Sequence, residues 1–379
     1  MKKALVVFLI LAVAGGLFAQ LTFSGSVETG IAVGLSDQEG SKAQIDFIQN
    51  RGDHGMRAQV TANYSGEGNY GKFGAGVQIG ANSNLFQNGG PDFFSETWHV
   101  SWDPNSMVGL RIGRGGYGGF GTPAGLITIS NDWQPGLEVL LKPADGVKIG
   151  LDVLYGASHN DSSGLLENLR YCLGLAYSGI PILDIVAGAQ LRTAMDPYGL
   201  YFTAGARFKG VPGLQIAADV AGYDFGNGEK NFIGASEQIN FSTGGLSLMG
   251  RAQEFIALGS KLETSFIPML FQGEVSYKAS DVVTIGVEGR YLIGRDSGIL
   301  SNYRNASEIG SFGDGAAAYF IKDNKAQSLG ISPRITFNLN KPTIVLGWNF
   351  RTILTDGVKP TADKATTLNL VYAQFTVSF

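Results

Sequence analysis

Along the last nine residues, apolar side chains fall at every second position: Val371, Ala373, Phe375, Val377 and Phe379. Tyr372, Gln374, Thr376 and Ser378 lie between them. Strict alternation predicts a strand with one face turned to an apolar medium and the other to water. The pattern recurs upstream in pairs. Ile344, Leu346, Trp348 and Phe350 alternate after the Asn340-Lys341-Pro342 turn, and Val283, Ile285, Val287 and Tyr291 after Ala279-Ser280-Asp281. Phe202, Ala204, Ala206 and Phe208 lead into Lys209–Gly213, and Leu214, Ile216, Ala218 and Val220 leave it. Leu169, Tyr171, Leu173, Leu175 and Tyr177 precede Ser178–Pro181, with Leu183, Ile185 and Leu191 beyond. Val147, Ile149, Leu151 and Val153 follow Pro143–Gly146. Trp98, Val100 and Trp102 precede Asp103–Ser106, and Val108, Leu110 and Ile112 follow it. Glycine, proline, asparagine and aspartate sit where tight hairpins need them.

Longer polar connections separate the hairpins at 35–54, 83–93, 115–134, 157–165 and 295–325. Short turns alternating with long loops are the rhythm of a barrel with one plain and one elaborated end. Counting back from Phe379 gives about 18 strands, with 16 as the alternative. The pattern is weakest over 43–65, which reads as one long strand or two short ones, and is ambiguous over Phe232–Leu258.

Charges test the assignment independently. Arg57, Lys72, Arg111, Lys148, Arg170, Arg192, Arg207, Arg251, Arg290, Arg334 and Arg351 fall opposite the apolar phase. So do Glu28, Glu138, Asp152, Asp184, Asp219, Glu274 and Glu288. A lipid-facing Arg or Lys near the midplane costs roughly 2–4 kcal/mol, so this phase fits a wet second face. Glu96 and Glu237 break the phase; Glu96 is assigned to a strand end, and Glu237 has no account. A soluble sandwich also alternates, but it would not combine so many long strands with this turn–loop rhythm.

Composition narrows the class. The chain is 44% hydrophobic with 55 glycines, yet beyond the N-terminus no segment supplies the ~20 apolar residues of a membrane helix. Strands can enter lipid only as a closed barrel, where every backbone group is paired. The expected fold is therefore all-β: a transmembrane antiparallel up-and-down β-barrel over 20–379. Residues 1–19, with Lys2, Lys3, an apolar run from Ala4 to Phe18 and the small Ala19, read as a cleaved signal peptide. Its removal leaves 26 basic against 32 acidic residues, a formal charge of −6, which argues against nucleic acid as a partner. The single Cys172 excludes an intramolecular disulfide.

Two segments carry a family resemblance. Glu96-Thr97-Trp98-His99-Val100 with Gly109-Leu110-Arg111-Ile112-Gly113-Arg114, and the N-terminal Leu21-Thr22-Phe23-Ser24-Gly25-Ser26-Val27, resemble strands of the general bacterial porins. The glycine-rich strands are also similar in style to spirochaete outer-membrane barrels, and the terminal strand resembles the last strand of outer-membrane barrels generally. The resemblance implies an outer-membrane location, lipid as surroundings and recognition by the barrel-assembly machinery through Phe379. It also implies that 115–134 is a constriction loop inside the barrel, with Asp132 opposite lumen arginines. This chain departs from the porins in its glycine-dense loop and higher strand count.

The expected function is passive diffusion of small polar solutes. The channel-lining candidates are Arg111, Asp132, Glu138, Arg170, Arg192, Arg207, Arg290, Arg334 and Arg351, with a weak lean toward anions. Pairing across strands is the simpler role for any one of them. Catalysis, cofactors and metals are not expected. His54, His99 and His159 have no zinc-ligand spacing. The G-x-G-x-x-G from Gly113 to Gly118 is followed by no helical pattern on which a pyrophosphate could rest. His159-Asn160-Asp161 reads as a solvated loop and Arg51-Gly52-Asp53 as a turn, although a surface barrel acting in adhesion stays open as the alternative. A transporter with an N-terminal plug would need room that Leu21, already in strand phase, does not leave. Homo-oligomerisation is left open.

Overall fold

The structure, a computed structural model, describes residues 20–36, 43–49, 53–54, 56–83, 92–114, 120–125, 128–129, 135–155, 169–193, 199–225, 231–260, 267, 269–293, 327–354 and 366–379. Eighteen long strands form its wall. They are β1 (Gln20–Ser36), β2 (Met56–Gly68), β3 (Gly71–Ser83), β4 (Asp92–Asp103), β5 (Val108–Arg114) and β6 (Pro135–Leu141). Next come β7 (Val147–Tyr155), β8 (Leu169–Ile180), β9 (Leu183–Arg192), β10 (Gly199–Val211), β11 (Leu214–Phe225) and β12 (Phe232–Thr243). The series ends with β13 (Leu246–Ala257), β14 (Met269–Lys278), β15 (Val283–Ile293), β16 (Gln327–Asn338), β17 (Pro342–Ile353) and β18 (Thr367–Ser378).

Each strand is antiparallel to the next, and β18 returns to β1, with Ser26 opposite Ser378 and Ser36 opposite Leu368. The circle is sealed by a reciprocal pair of backbone hydrogen bonds, Gly25 N–H to the Phe379 carbonyl and Phe379 N–H to the Gly25 carbonyl, each 3.0 Å. The terminal ring lies where a Cβ on Gly25 would be, so glycine is the residue that admits this closure. Closure removes the sheet edges and pairs the backbone throughout, the condition for a sheet to sit in lipid. The expected barrel and its count of 18 are found.

Burial is inverted relative to a soluble protein. Leu137, Leu151, Leu173 and Phe271 are exposed on the outer face, whereas Glu138 and Asp219 on the inner face are 0% and 5% exposed. Turns are short at one end. In the turn between β4 and β5, Asn105 Oδ1 accepts the Met107 and Val108 amides at 2.8 and 2.9 Å. Another carries Asn340 at φ 72°, a left-handed conformation that asparagine tolerates.

Three expectations are corrected and one ambiguity, the third below, is resolved. Residues 35–54 are not one polar connection: Gln44–Gln49 forms a further strand piece beside β1, pairing Gln44 with Gly34 and Ile48 with Gly30. Arg57 then pairs with Glu28, so the partners of β1 pass from Ile48 opposite Gly30 to Arg57 opposite Glu28 with only Thr29 between them. Second, Glu96 is not at a strand end. It falls within β4 at a bulge, between Thr97 opposite Gln78 and Ser95 opposite Ile79, and the extra residue resets the alternation. Third, Phe232–Leu258 is a plain hairpin turning at Gly244-Gly245, and in it Glu254 joins Glu237 on the outer face. Fourth, the inner face is not polar throughout. At the long-loop end Tyr201, Tyr223, Phe232, Phe255, Leu270 and Leu292 are buried on it, on six successive strands. Tyr223 and Phe232 stack at 4.4 Å, so on these six strands the inner face is apolar at the mouth and polar at the level of Ser236 and Gln253 below it.

Candidate functional site: the lumen and its internal loop

The inner wall acquires its chemistry from alternation. Once Leu137, Leu151 and Val220 face outward, Glu138, Asp152 and Asp219 must face inward from β6, β7 and β11. Between β5 and β6, part of the connection is described. Phe120–Gly121 pairs with Thr128–Ile129 as a small separate hairpin, followed from Gly121 by Thr122, Pro123, Ala124 and Gly125. This segment lies inside the barrel and is fastened at two places.

The first is apolar. Phe120, 2% exposed, packs with Leu140, Leu154 and Cys172, and with Ala176 and Val186 beside them. Its ring occupies the space where Cβ atoms of Gly150 on β7 and Gly174 on β8 would stand. Two glycines on neighbouring strands thus form a notch for one ring.

The second is polar and lies on β10–β13. Arg207 Nη2 donates to the Pro123 carbonyl at 2.9 Å. The Ala124 amide donates to Asp219 Oδ2 at 2.8 Å, and Ser236 Oγ donates to the Ala124 carbonyl at 3.2 Å. Arg251 Nη2 donates to the Gly125 carbonyl at 2.7 Å. Ala124 is fully buried. The Gly125 amide closes the turn on the Thr122 carbonyl at 2.9 Å, and the Pro123, Ala124 and Gly125 groups named above find wall partners, as burial requires.

Elsewhere the lumen charges engage one another. Arg111 Nε lies 3.6 Å from Glu138 Oε1. Arg334 bridges Glu274 and Glu288, Arg290 pairs with Glu288, and Gln272 Nε2 donates to Glu288 Oε1 at 3.0 Å. Arg192 donates to Gln190 Oε1 at 2.8 Å and lies 3.9 Å from the centroid of the Tyr201 ring, a cation–π contact. Gln190 Nε2 in turn donates to Cys172 Sγ at 3.3 Å.

Of the expected lining residues, Arg111, Glu138, Arg170, Arg192, Arg207, Arg290 and Arg334 are on the inner face. Arg351 is placed on β17 opposite Gly330 by its backbone, and Asp132 lies outside the described residues, as do residues 1–19, Arg51, Gly52 and His159. Sequence reasoning missed Asp219, Ser236 and Arg251 as loop partners. Asp219 and Arg251 were on the wet phase but not distinguished, and Ser236 carries no charge to draw notice. Gly113, at φ +142°, is the penultimate residue of β5, where a Cβ would meet the Trp98 carbonyl, and the next described element is a two-residue strand at Phe120, not a helix. Among the described residues no group of three or more His, Cys, Asp or Glu is placed to hold a metal.

No protein-family model and no curated protein matches this sequence. Solved structures do match in fold. OpdL of Pseudomonas aeruginosa superposes with a TM-score of 0.60 at 8% identity, over 95% of this chain and 98% of that one. OccAB4 of Acinetobacter baumannii gives 0.59 at 8% identity over the same shares, and OpdQ of Pseudomonas aeruginosa 0.58 at 10%, again over 95% and 98%. The chain has the fold of these bacterial outer-membrane porins, an 18-stranded antiparallel barrel.

Proposed function

We propose that this barrel is an outer-membrane channel for passive diffusion of small polar solutes, with its aperture set by the loop segment 120–129. The observation that carries the reading is the fastening of residues 120–125 inside the lumen, by the Phe120 notch on one side and Arg207, Asp219, Ser236 and Arg251 on the other. A loop held across a polar lumen selects by size and field rather than by a fitted pocket.

The charge distribution supports only a mild anion preference. Arg207 and Arg251 direct hydrogen bonds at loop carbonyls, and Arg290 and Arg334 at carboxylates. A cation so engaged contributes to the field but is a weaker ligand for a passing solute than its count suggests. Assembly through the C-terminal Phe379, exposed on β18's end, is part of the same proposal.

Purified protein in planar bilayers tests the function. Discrete conductance steps that grow when Asp219 is replaced by alanine support it. The reading fails if folded protein gives no steps at any voltage, or if the step size ignores the loop's attachment.

A further inference from the structure

Glu237 and Glu254 are on the wrong side of the wall. Register places Glu237 between Ala218 and Ala252, and Glu254 between Ala235 and Met269, all on the outer face of β11–β14. The two carboxylates are diagonal neighbours on adjacent strands, roughly 7 Å apart by that geometry. Among the described residues neither has a hydrogen-bond or ion-pair partner. From the Gly244-Gly245 turn they stand roughly 18 and 23 Å up a tilted strand, the outer part of an apolar band about 25 Å tall.

Beside Glu237, and one outward position from Glu254, the wall is hollow. A groove of about 720 Å³ crosses β11–β16. Its floor holds Ala218, Ala252 and three glycines in one cross-strand row, Gly250 opposite Gly273 and Gly273 opposite Gly289. Ile239 stands on one side of this row, and the stacked rings of Phe271 and Tyr291 on another. Five strand spacings make the groove roughly 24 Å long, enough for one extended acyl chain.

We propose that this groove seats one lipid whose headgroup carries a primary ammonium, the chain lying on the glycine floor and the ammonium between Glu254 and Glu237. Charge complementarity selects this occupant. The outward positions described on β11–β16 carry no Lys or Arg, so a second copy of this wall would set carboxylate against carboxylate. A calcium ion takes six to eight oxygens, and no third acidic or histidine ligand is gathered among the described residues. An ammonium has three donors, and two carboxylates can receive them. The proposal depends on this wall facing lipid and not on the lumen conducting.

The test is native mass spectrometry of the full folded chain released from bilayers of equal parts palmitoyl-oleoyl phosphatidylethanolamine, phosphatidylcholine and phosphatidylglycerol. The ethanolamine lipid should be retained about fivefold over the glycerol lipid, the size of effect one ion pair gives. The Glu237→Gln/Glu254→Gln protein should lose that preference while keeping its heat-shifted gel mobility and its conductance. Gly273→Leu, which fills the floor, should lower retention of all three lipids. Equal retention of the three by the unaltered chain overturns the proposal, as does a preference that survives the double substitution. Calcium-dependent retention of the glycerol lipid, or a dimer in place of bound lipid, overturns it also.

Discussion

Two sectors of the inner wall use the same residue types for different ends. On β10–β13, Arg207, Asp219, Ser236 and Arg251 direct their hydrogen bonds at the backbone of residues 123–125. On β14–β16, Glu274, Glu288, Arg290 and Arg334 direct theirs at one another. Alternation decides only that these side chains face inward. What lies opposite decides what they do, and a buried peptide turn demands partners more strictly than a hydrated wall does. If the barrel conducts as proposed, the first sector acts on the path of a solute through the loop, and the second on the field that the solute crosses.

The difference breaks most sharply under Asp219→Ala combined with Arg251→Ala. Each loop group left unpaired costs roughly 1–3 kcal/mol, enough to release the turn from the wall. Single-channel conductance should rise about two- to threefold as the lumen opens. A conductance equal to the parent's would mean that the loop does not set the aperture. Gly174→Val attacks the other fastening. The added methyls overlap the Phe120 ring, a strain of roughly 1–3 kcal/mol, and conductance should rise by less because the polar clamp persists. Phe120→Ala should restore stability in the Gly174→Val background but not in the parent. Additive effects in that double-mutant cycle would show that ring and notch do not meet.

In the paired sector, Glu274→Gln should leave conductance nearly unchanged. Its contact with Arg334 is partly solvated, so its loss costs about 1 kcal/mol or less. The reversal potential in a salt gradient should move toward anions, since Arg334 keeps its charge without this counter-ion. A conductance jump as large as that of the clamp variant would erase the distinction between the sectors.

The wall was legible because a period of two is a local signal. Residues such as Leu173 and Cys172 report their faces without reference to anything distant. Hence the eighteen strands, the seal at Phe379 and the inward charges could be read directly. Where both phases are apolar the signal cancels. Phe232 and Phe255 face inward at the mouth while Ile233 and Ile256 face outward, which made that hairpin ambiguous and hid the outward Glu254. The bulge at Glu96 is an insertion of one residue, and pairing reveals it where composition does not. The loop's hydrogen-bond partners lie 84 to 126 residues away from it. No periodicity within the loop or the strands encodes that meeting; it exists only once the barrel has closed around it.

The smallest expected effect comes from an ion pair outside the wall, and it sharpens the comparison by removing both the loop and burial. In the short turn after β14, Lys278 Nζ lies 2.7 Å from Asp281 Oδ1 and donates to it. That hydrogen bond, aided by the lysine's charge, holds the Asp281 carboxyl below its ordinary range. A carboxylate with a depressed folded value stabilises the protein above the unfolded value, and that contribution disappears as pH falls through the folded one. Urea midpoints of the parent and of Asp281→Asn should therefore differ slightly at neutral pH and converge in acid. The side chain is fully exposed, so solvent screens the pair, and added salt should narrow the neutral-pH gap as well. A gap that widened in acid would reverse the sign and show that Asp281 is held by something other than Lys278.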